Sequence, residues 1–454
     1  MTYPTLSRET FTRYATANVP RYTSYPTAPA FSPAVGEAEY RAWLEAIPDA
    51  SGISVYVHVP FCRAMCLYCG CHTTVTARDE PIERYLDALE QEIDLAAAAM
   101  PKSLVLKHLH FGGGSPTLVP PERMTALMQR LRGHFQFASD AEIAIEVDPR
   151  TLSPKLAEAL GQAGFNRASV GVQSFDPAVQ MAINRVQSFE VTRAAIELLR
   201  QAGLARINLD LIYGLPHQTV ESCRKTVAQA LELAPDRFAV FGYAHVPAFK
   251  KHQRRIDEGA LPGTDERLAQ SQAIGAALTD AGFAEIGLDH YARTDDPLAK
   301  AWRNGSLHRN FQGYTTDSAE VLVGFGSSAI GHLPHGYVQN TVLNSDYLTR
   351  VAEGRLPVAR GYGTSAEDRV RAAVIERIMC DHKVDLEAVC GRFAWAPESI
   401  VDSDYLAMLE TDGLLRRRGS VLEVTTEAYP LVRSVAAAFD ASLAQNRERY
   451  SRAV

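Results

Sequence analysis

From residue 53 to residue 290 the chain alternates between short apolar runs of strand character and longer stretches of helical periodicity. That alternation restricts it to a parallel sheet flanked by helices. The strand-like runs fall at residues 53–59, 104–111, 142–147, 167–172, 206–212 and 237–243, with a further one at 285–290. Between the first two, residues 81–100 place Ile82, Tyr85, Leu86, Leu89, Ile93 and Leu95 at helical spacing. Near-continuous apolar runs suit parallel strands covered on both faces. Six core βα units, with 285–290 as a late addition, fall short of the eight that close a barrel. The expected fold is α/β, an open partial (β/α)6 barrel with ligands at the carboxyl ends of its strands.

The flanks differ in character. Residues 1–50 read as an N-terminal arm. The polar, Pro-rich stretch 1–30 includes Arg21-Tyr22-Thr23-Ser24-Tyr25-Pro26, which suits an extended strap, and the strap is expected to close over the site as a lid. Residues 51–300 form the barrel and 301–360 a connecting segment that lines the site. Residues 361–454 form a mainly helical, winged-helix-like C-terminal domain with helices over 368–379, 386–393 and 400–410 and a hairpin after residue 413. Arg416-Arg417-Arg418 at that hairpin reads as a solvated turn, because the whole chain carries a net charge of −7. That balance argues against a nucleic-acid partner. With neither an apolar signal core nor a membrane-length apolar run, no membrane association is expected and the location is read as cytoplasmic.

Four of the seven cysteines lie between positions 62 and 71, in the loop after the first strand. Cys62, Cys66 and Cys69 follow a C-x3-C-x2-C spacing, and Cys71 comes two residues later. A disulfide framework is disfavoured by the odd count and the short spans. A zinc site usually takes four ligands in two separated pairs, and no second pair follows. An iron–sulfur cubane takes local soft thiolates, and three of them leave one iron open. Spacing favours the cluster and leaves zinc open. His110-Phe111-Gly112-Gly113-Gly114-Ser115-Pro116-Thr117 ends the second strand, and its glycines allow a close backbone approach to a ligand. Glu146, Asp148, Gln173 and Asp210 lie at or near later strand ends. Each alone reads as a helix cap or turn residue; together they suggest a ring of polar groups around one mouth.

The cysteine triplet after Pro60-Phe61, with the glycine segment on the next strand, resembles the radical S-adenosylmethionine (SAM) enzymes. Arg21–Thr27, Cys69-Gly70-Cys71, Phe111–Thr117, Glu146–Arg150, Gly171-Val172-Gln173, Asp210–Pro216 and His308–Thr316 resemble the oxygen-independent coproporphyrinogen III oxidase family nearly end to end. The resemblance implies a [4Fe-4S] cluster on Cys62, Cys66 and Cys69, whose fourth iron binds SAM. One electron splits SAM to methionine and a deoxyadenosyl radical, which takes hydrogen from the substrate. It also implies oxidative decarboxylation of two propionates of coproporphyrinogen III to vinyls, giving protoporphyrinogen IX. It further implies a one-electron donor such as a flavodoxin or ferredoxin, and a monomer.

By the same resemblance Tyr56, Gly113, Glu146 and Ile330 contact one SAM. Tyr68, Gly114, Ser115, Gln173, Arg185, Asp210 and Ala244 line a second SAM site, while Phe311, Gln312 and Cys71 serve catalysis. Tyr68 and Ser115 stand where the family often has Phe and Thr; ring and hydroxyl are kept. Arg21, His308 and Arg309 are the candidate basic groups for the substrate's four carboxylates. A haem-handling relative is the nearest alternative, but such relatives typically lack the strap and Cys71. A structural metal protein and an RNA-modifying enzyme are the others.

Overall fold

The computed structural model describes residues 6–443 and residue 450. Residues 1–5 of the expected arm, and 444–449 and 451–454 of the expected C-terminal domain, lie outside the described residues.

The six anticipated strands are present as β1 (Gly52–Val59), β4 (Val105–Gly113), β5 (Gln136–Val147), β6 (Arg167–Gln173), β7 (Arg206–Tyr213) and β8 (Arg237–Gly242). The short β2 (Phe61–Cys62) and β3 (Thr74–Val75) bracket the cysteine loop. Helices Glu80–Ala98, Pro121–His134, Pro154–Ala163, Phe189–Gln201 and Val220–Glu232 cross between them. All six strands pair in parallel in sequence order. Helix starts follow local chemistry: Ser153, Ser188 and Thr219 cap with their side chains, and Pro occupies the first turn at Pro121 and Pro154.

The run at 285–290 is not a parallel strand. It splits into β9 (Phe283–Ile286) and β10 (His290–Arg293), an antiparallel hairpin on the β8 edge. Gly287, at φ +60°, turns the chain back, and a connection this short cannot make the crossover a parallel strand requires.

Beyond a small hairpin, β11 (His308–Asn310) with β12 (Gly313–Thr315), the chain returns to the sheet. There β13 (Val321–Phe325) lies parallel to β1 on the side away from β4. β14 (Ile330–Leu333), β15 (Gly336–Asn340) and β16 (Val358–Gly363) extend that edge antiparallel. The result is one open sheet of twelve strands ending at β16 and β9.

The main core packs the crossing helices on the outer face of the sheet, through residues such as Ile53, Leu89, Leu106, Ile145 and Leu209. The inner face is polar. His108 and His110 of β4, Glu142 and Glu146 of β5, Arg167 and Ser169 of β6, and Asn208 and Asp210 of β7 line a lumen cavity of about 200 Å³. Their spacing of two residues, or four for the β5 pair with Ala144 between, is the strand's own alternation of faces.

A second core joins the C-terminal helices Ala366–Asp381, Leu386–Gly391 and Ser403–Thr411 to a small sheet of β17 (Lys383–Asp385), β18 (Leu415–Arg418) and β19 (Val421–Val424). The N-terminal strap belongs to this core: Tyr14, Val19, Tyr22 and Tyr25 are buried in it. Tyr22 donates to Asp440, and Arg433 to the carbonyls of Val19 and Pro20. The strap is therefore a packed brace on the C-terminal domain rather than a loose lid.

Candidate active site

The cysteine loop leaves β1 at Pro60 and is held from three sides. Gly114 N–H donates to Val59 O at 2.8 Å and Ser115 N–H to Phe61 O at 2.7 Å. Leu67 N–H donates to Ile183 O at 2.9 Å, and Asn184 Nδ2 to Met65 O at 2.8 Å. On the third side, Lys250 Nζ donates to Cys71 O at 3.0 Å and His252 Nε2 to Cys69 O at 2.7 Å. Gln253 Nε2 bridges Tyr68 O at 3.1 Å and Ala244 O at 3.2 Å. The sequence reading missed Lys250, His252 and Gln253, because a side chain that serves a distant carbonyl leaves no mark on its own neighbours. The basic stretch 250–255 was the one available signal.

Cys66 is buried, Cys62 and Cys69 are partly so, and Cys71 is exposed. Ser115 Oγ donates to Cys62 Sγ at 3.6 Å, and Arg150 and Arg185 each place a guanidinium nitrogen 3.7 Å from Cys66 Sγ. Burial pushes the Cys62 thiol up to about 11, opposed by the Ser115 bond. Cys69 is drawn down to about 7, chiefly by a hydrogen bond from Cys71, against burial and with help from Lys250 and Arg185. The same contact holds the Cys71 thiol well above its ordinary value, so Cys71 is the proton-bearing member of the pair.

Soft sulfurs with cationic donors aimed at them fit a thiolate-ligated cluster. Among the described residues no group of three or more His, Cys, Asp or Glu is arranged to hold a single metal ion. A cubane does not need such convergence, since each thiolate takes its own iron, whereas tetrahedral zinc does.

Next to the loop, Glu146 accepts from Gly113 N–H at 3.1 Å and lies 3.4 Å from His110 Nε2. Burial opposes its ionisation, but these donors hold its carboxyl below the ordinary value. Tyr56 Oη donates to His58 Nδ1 at 3.0 Å, and His58 Nε2–H donates to His72 O at 3.0 Å. Burial takes His58 down to about 4, so its ring stays neutral in that tautomer. Ile330 reaches the same corner, its carbonyl packed on Gly324, which pairs with Tyr56.

The glycines were expected to open space for a ligand. Here their missing side chains are filled by protein. A Cβ at Gly112 would meet Glu146 Oε1 at 2.7 Å, and one at Gly114 would meet Phe61 O at 2.5 Å. Gly113, at φ +117°, would press on the His58 ring.

The second group also assembles. Arg185 Nη2 donates to Gly171 O at 2.7 Å, and a Cβ on Gly171 would touch both Arg185 and the Gln173 amide at 3.0 Å. Arg185 lies 3.5 Å from Asp148, which Arg150 holds at 2.6 Å. Asp210, beside Gly171 on β7, accepts from Ser169 Oγ at 3.1 Å; burial, and then Glu146, push its carboxyl up to about 7. Tyr68 packs with Leu67, Ile183, Ile212 and Tyr243. Gln312, at the β11–β12 turn, lines the lumen with Glu146 and Asp210, while Phe311 sits edge-on to Tyr337, ring centroids 6.3 Å apart.

The radical SAM superfamily pattern matches residues 56–230, the stretch that carries the cysteine loop and most of these contacts. The oxygen-independent coproporphyrinogen III oxidase of Bradyrhizobium diazoefficiens is 54% identical over 442 residues, covering 97% of this chain and 98% of its own. That of Salmonella typhimurium is 40% identical over 439 residues, covering 96% of each. The solved structure of the Escherichia coli coproporphyrinogen III oxidase, described as a radical SAM enzyme, superposes with a TM-score of 0.89 at 40% identity, over 93% of this chain and 98% of that one. The chain belongs to the oxygen-independent coproporphyrinogen III oxidases.

Membership of this oxidase family extends past the barrel. The relatives align through the strap and the C-terminal domain, which the superfamily pattern does not reach. Of the three basic side chains expected to face an oxidase's carboxylate-rich substrate, His308 is engaged by Glu376 at 3.1 Å, and that bond raises its pKa. Arg21 reaches the carbonyl of Gly242 at the end of β8, at 3.5 Å. No helix among the described residues is long and apolar enough to cross a membrane.

Proposed function

We propose that the chain converts two propionates of coproporphyrinogen III to vinyls by SAM-dependent oxidative decarboxylation, giving protoporphyrinogen IX in oxygen-independent haem synthesis. The observation that carries this is the cysteine loop, pinned beside the Glu146–Gly113 pair at the carboxyl-end mouth of a polar barrel. Cys62, Cys66 and Cys69 would hold the cluster. When bound, cluster and SAM together supply the one-electron cleavage that yields the hydrogen-abstracting radical.

The chain's own residues do the rest. Glu146 and the Gly113 backbone receive the amino group of a first SAM, with Tyr56 and Ile330 closing its sides. Gln173, Arg185, Asp210, Tyr68, Gly114, Ser115 and Ala244 surround space for a second SAM; Asp210, protonated near neutrality, can donate as well as accept there. Gln312 and Phe311, on a hairpin between the barrel and the C-terminal domain, orient the porphyrinogen edge and exclude water. Cys71 contributes a thiol at the rim of the loop and is not a ligand.

A small one-electron protein, a flavodoxin or ferredoxin, would approach the cysteine loop on the side of its supports Lys250, His252 and Gln253, whose chain neighbours Lys251, Arg254 and Arg255 are exposed. The basic rim complements an acidic donor on a chain whose own net charge is −7. The chain would act as a monomer, which sedimentation would check.

The deciding experiment is anaerobic: reconstituted, reduced protein with SAM and coproporphyrinogen III. Deoxyadenosine and a vinyl product should accumulate together; deoxyadenosine without vinyl product would point to a haem-handling relative instead.

A further inference from the structure

One histidine–aspartate pair faces the lumen and has no part in the chemistry assigned so far. His290, on β10, lines the cavity together with His110, Asp210 and Gln312. It pairs with Ala239 of β8, and Ala239 pairs with Asp210 of β7, so the imidazole stands level with Asp210 on the adjoining wall. Its Nδ1 lies 2.7 Å from Asp289 Oδ1, and both side chains are largely buried.

Burial opposes ionisation of Asp289, yet its bond to His290, with Arg309 and Arg21 beyond, draws the carboxyl down to about 2. An ionised carboxylate only accepts, so the ring hydrogen is held on Nδ1 and Nε2 presents a lone pair. A carboxylate behind a histidine fixes tautomer and orientation in this way. Among the described residues nothing hydrogen-bonds to that Nε2, and the ring borders the cavity.

The ring is also wedged in place. It stands at 83° to both Phe241 and Tyr314, with centroids 6.1 and 5.3 Å away. A Cβ on Gly313 would lie 2.9 Å from its Cε1 and 3.0 Å from its Nε2, so the missing side chain leaves room in front of the nitrogen. Gly313 directly follows Gln312, the residue assigned to the porphyrinogen edge. The pair is not required as a pin between the hairpins. Tyr314 Oη already accepts from Leu288 N–H at 3.0 Å and donates to Met379 O at 2.7 Å.

An oriented acceptor on the lumen wall suits a ligand that brings an N–H donor. A porphyrinogen carries one N–H on every pyrrole ring, and the reacting propionate hangs from one of those rings. We propose that His290 contacts the substrate directly, its Nε2 accepting the N–H of a pyrrole ring turned into the lumen. This rests on the substrate assigned above. The bond sets how far the ring enters, and so where its propionate stands, and it transfers no proton.

The test is anaerobic equilibrium dialysis of coproporphyrinogen III against cluster-loaded protein without SAM, alongside steady-state turnover. His290→Leu keeps apolar packing against Phe241 and Tyr314 but offers no acceptor. It should raise Kd and KM about tenfold (about 1.4 kcal/mol), with kcat within about threefold. His290→Gln, whose amide oxygen accepts, should bind more tightly than His290→Leu. The tetraamide of coproporphyrinogen III keeps its pyrrole N–H groups and lacks carboxylates; its Kd should rise by the same factor. A Kd for His290→Leu within about twofold of wild type would overturn the contact, as would no gain in His290→Gln or a loss of iron in either variant. A loss confined to the tetra-acid would overturn it by giving His290 a carboxylate partner instead. If His290→Leu melts early, His290→Met, more adaptable in a packed site, takes its place with the same expectations. Wild-type protein that neither binds nor converts coproporphyrinogen III would refute the substrate assignment itself. Normal wild-type turnover with normal binding by the variant would refute only the His290 contact.

Discussion

Replacing Gly114 by alanine should cost the enzyme its cluster, while the same change two residues earlier should cost it SAM. A Cβ on Gly114 would lie 2.5 Å from Phe61 O, 2.8 Å from Phe61 N and 2.9 Å from Phe61 C, all backbone atoms of the residue before Cys62. An ordinary contact needs roughly 3.4 Å, so the backbone must retreat by about 0.9 Å, because no side chain is available to turn aside. Ser115 N–H holds Phe61 O and Gly114 N–H holds Val59 O, so the retreat drags on both bonds and shifts Cys62 with them. Overpacking of this kind costs about 1–3 kcal/mol, and misplacement near 1 Å costs on the order of a hundredfold in rate. A Cβ on Gly112 instead meets Glu146 Oε1 at 2.7 Å, the free end of a side chain that can swing away. Iron and sulfide content, visible absorbance and deoxyadenosine formation separate the two cases. Gly114→Ala should lose most of its iron on reconstitution. Gly112→Ala should keep iron but show a spectrum less responsive to SAM, and slower SAM cleavage. A Gly114→Ala protein with full iron content and wild-type turnover would refute the packing argument.

Cys71→Ser should retain iron and its visible absorbance but lose turnover; loss of the absorbance would make Cys71 a ligand. Glu92 lies buried under donors from Gly326 N–H at 2.7 Å, Asn340 Nδ2 at 2.6 Å and Tyr347 Oη at 2.6 Å. Glu92→Ala orphans all three and should lower stability to denaturant by about 3–5 kcal/mol, each lost partner costing about 1–3 kcal/mol at most; a cost under 1 kcal/mol would contradict that accounting. Asp210, raised to about 7 in the fold, binds a proton that the unfolded chain releases near pH 4. Stability of the cofactor-free protein should therefore fall as pH rises from about 4 to 7 on account of this group. Asp210→Asn should raise the melting temperature more at pH 8 than at pH 5, and an equal gain at both would count against the raised value.

Much of the architecture could be read from the chain because it rests on local pattern. Each of the six parallel strands is a short apolar run between turn residues and helices, and such a run keeps its character wherever it packs. The edge was harder. The sequence offers 301–360 only as a connecting segment, yet β13, β14, β15 and the start of β16 lie there, and 285–290 looks like one strand until Gly287 bends it into a hairpin. The lumen was legible only at its rim: Glu146 and Asp210 stand out near strand ends, whereas His108, Glu142, Arg167 and Asn208 sit deeper in the strands, and which face turns inward depends on how the sheet curves.

The amino-acid sequence by itself determined the three thiols, because ligands spaced three and four residues apart on one loop are neighbours in any fold that forms the loop. It also determined that β1 and β4 to β8 are parallel strands joined by helices, since a βα alternation leaves few ways to connect them. Tertiary structure decided everything that depends on distant partners. It bound the strap to the C-terminal core, sent Arg150 and Arg185 to Cys66, and brought Lys250, His252 and Gln253 under the cysteine loop. It also paired His308 with Glu376 while leaving two N–H groups of Arg309 unused. Hydrogen bonds and ion pairs act over a few ångströms in space, whereas these partners stand tens to hundreds of residues apart in the chain, so only the folded shape determines which of them meet.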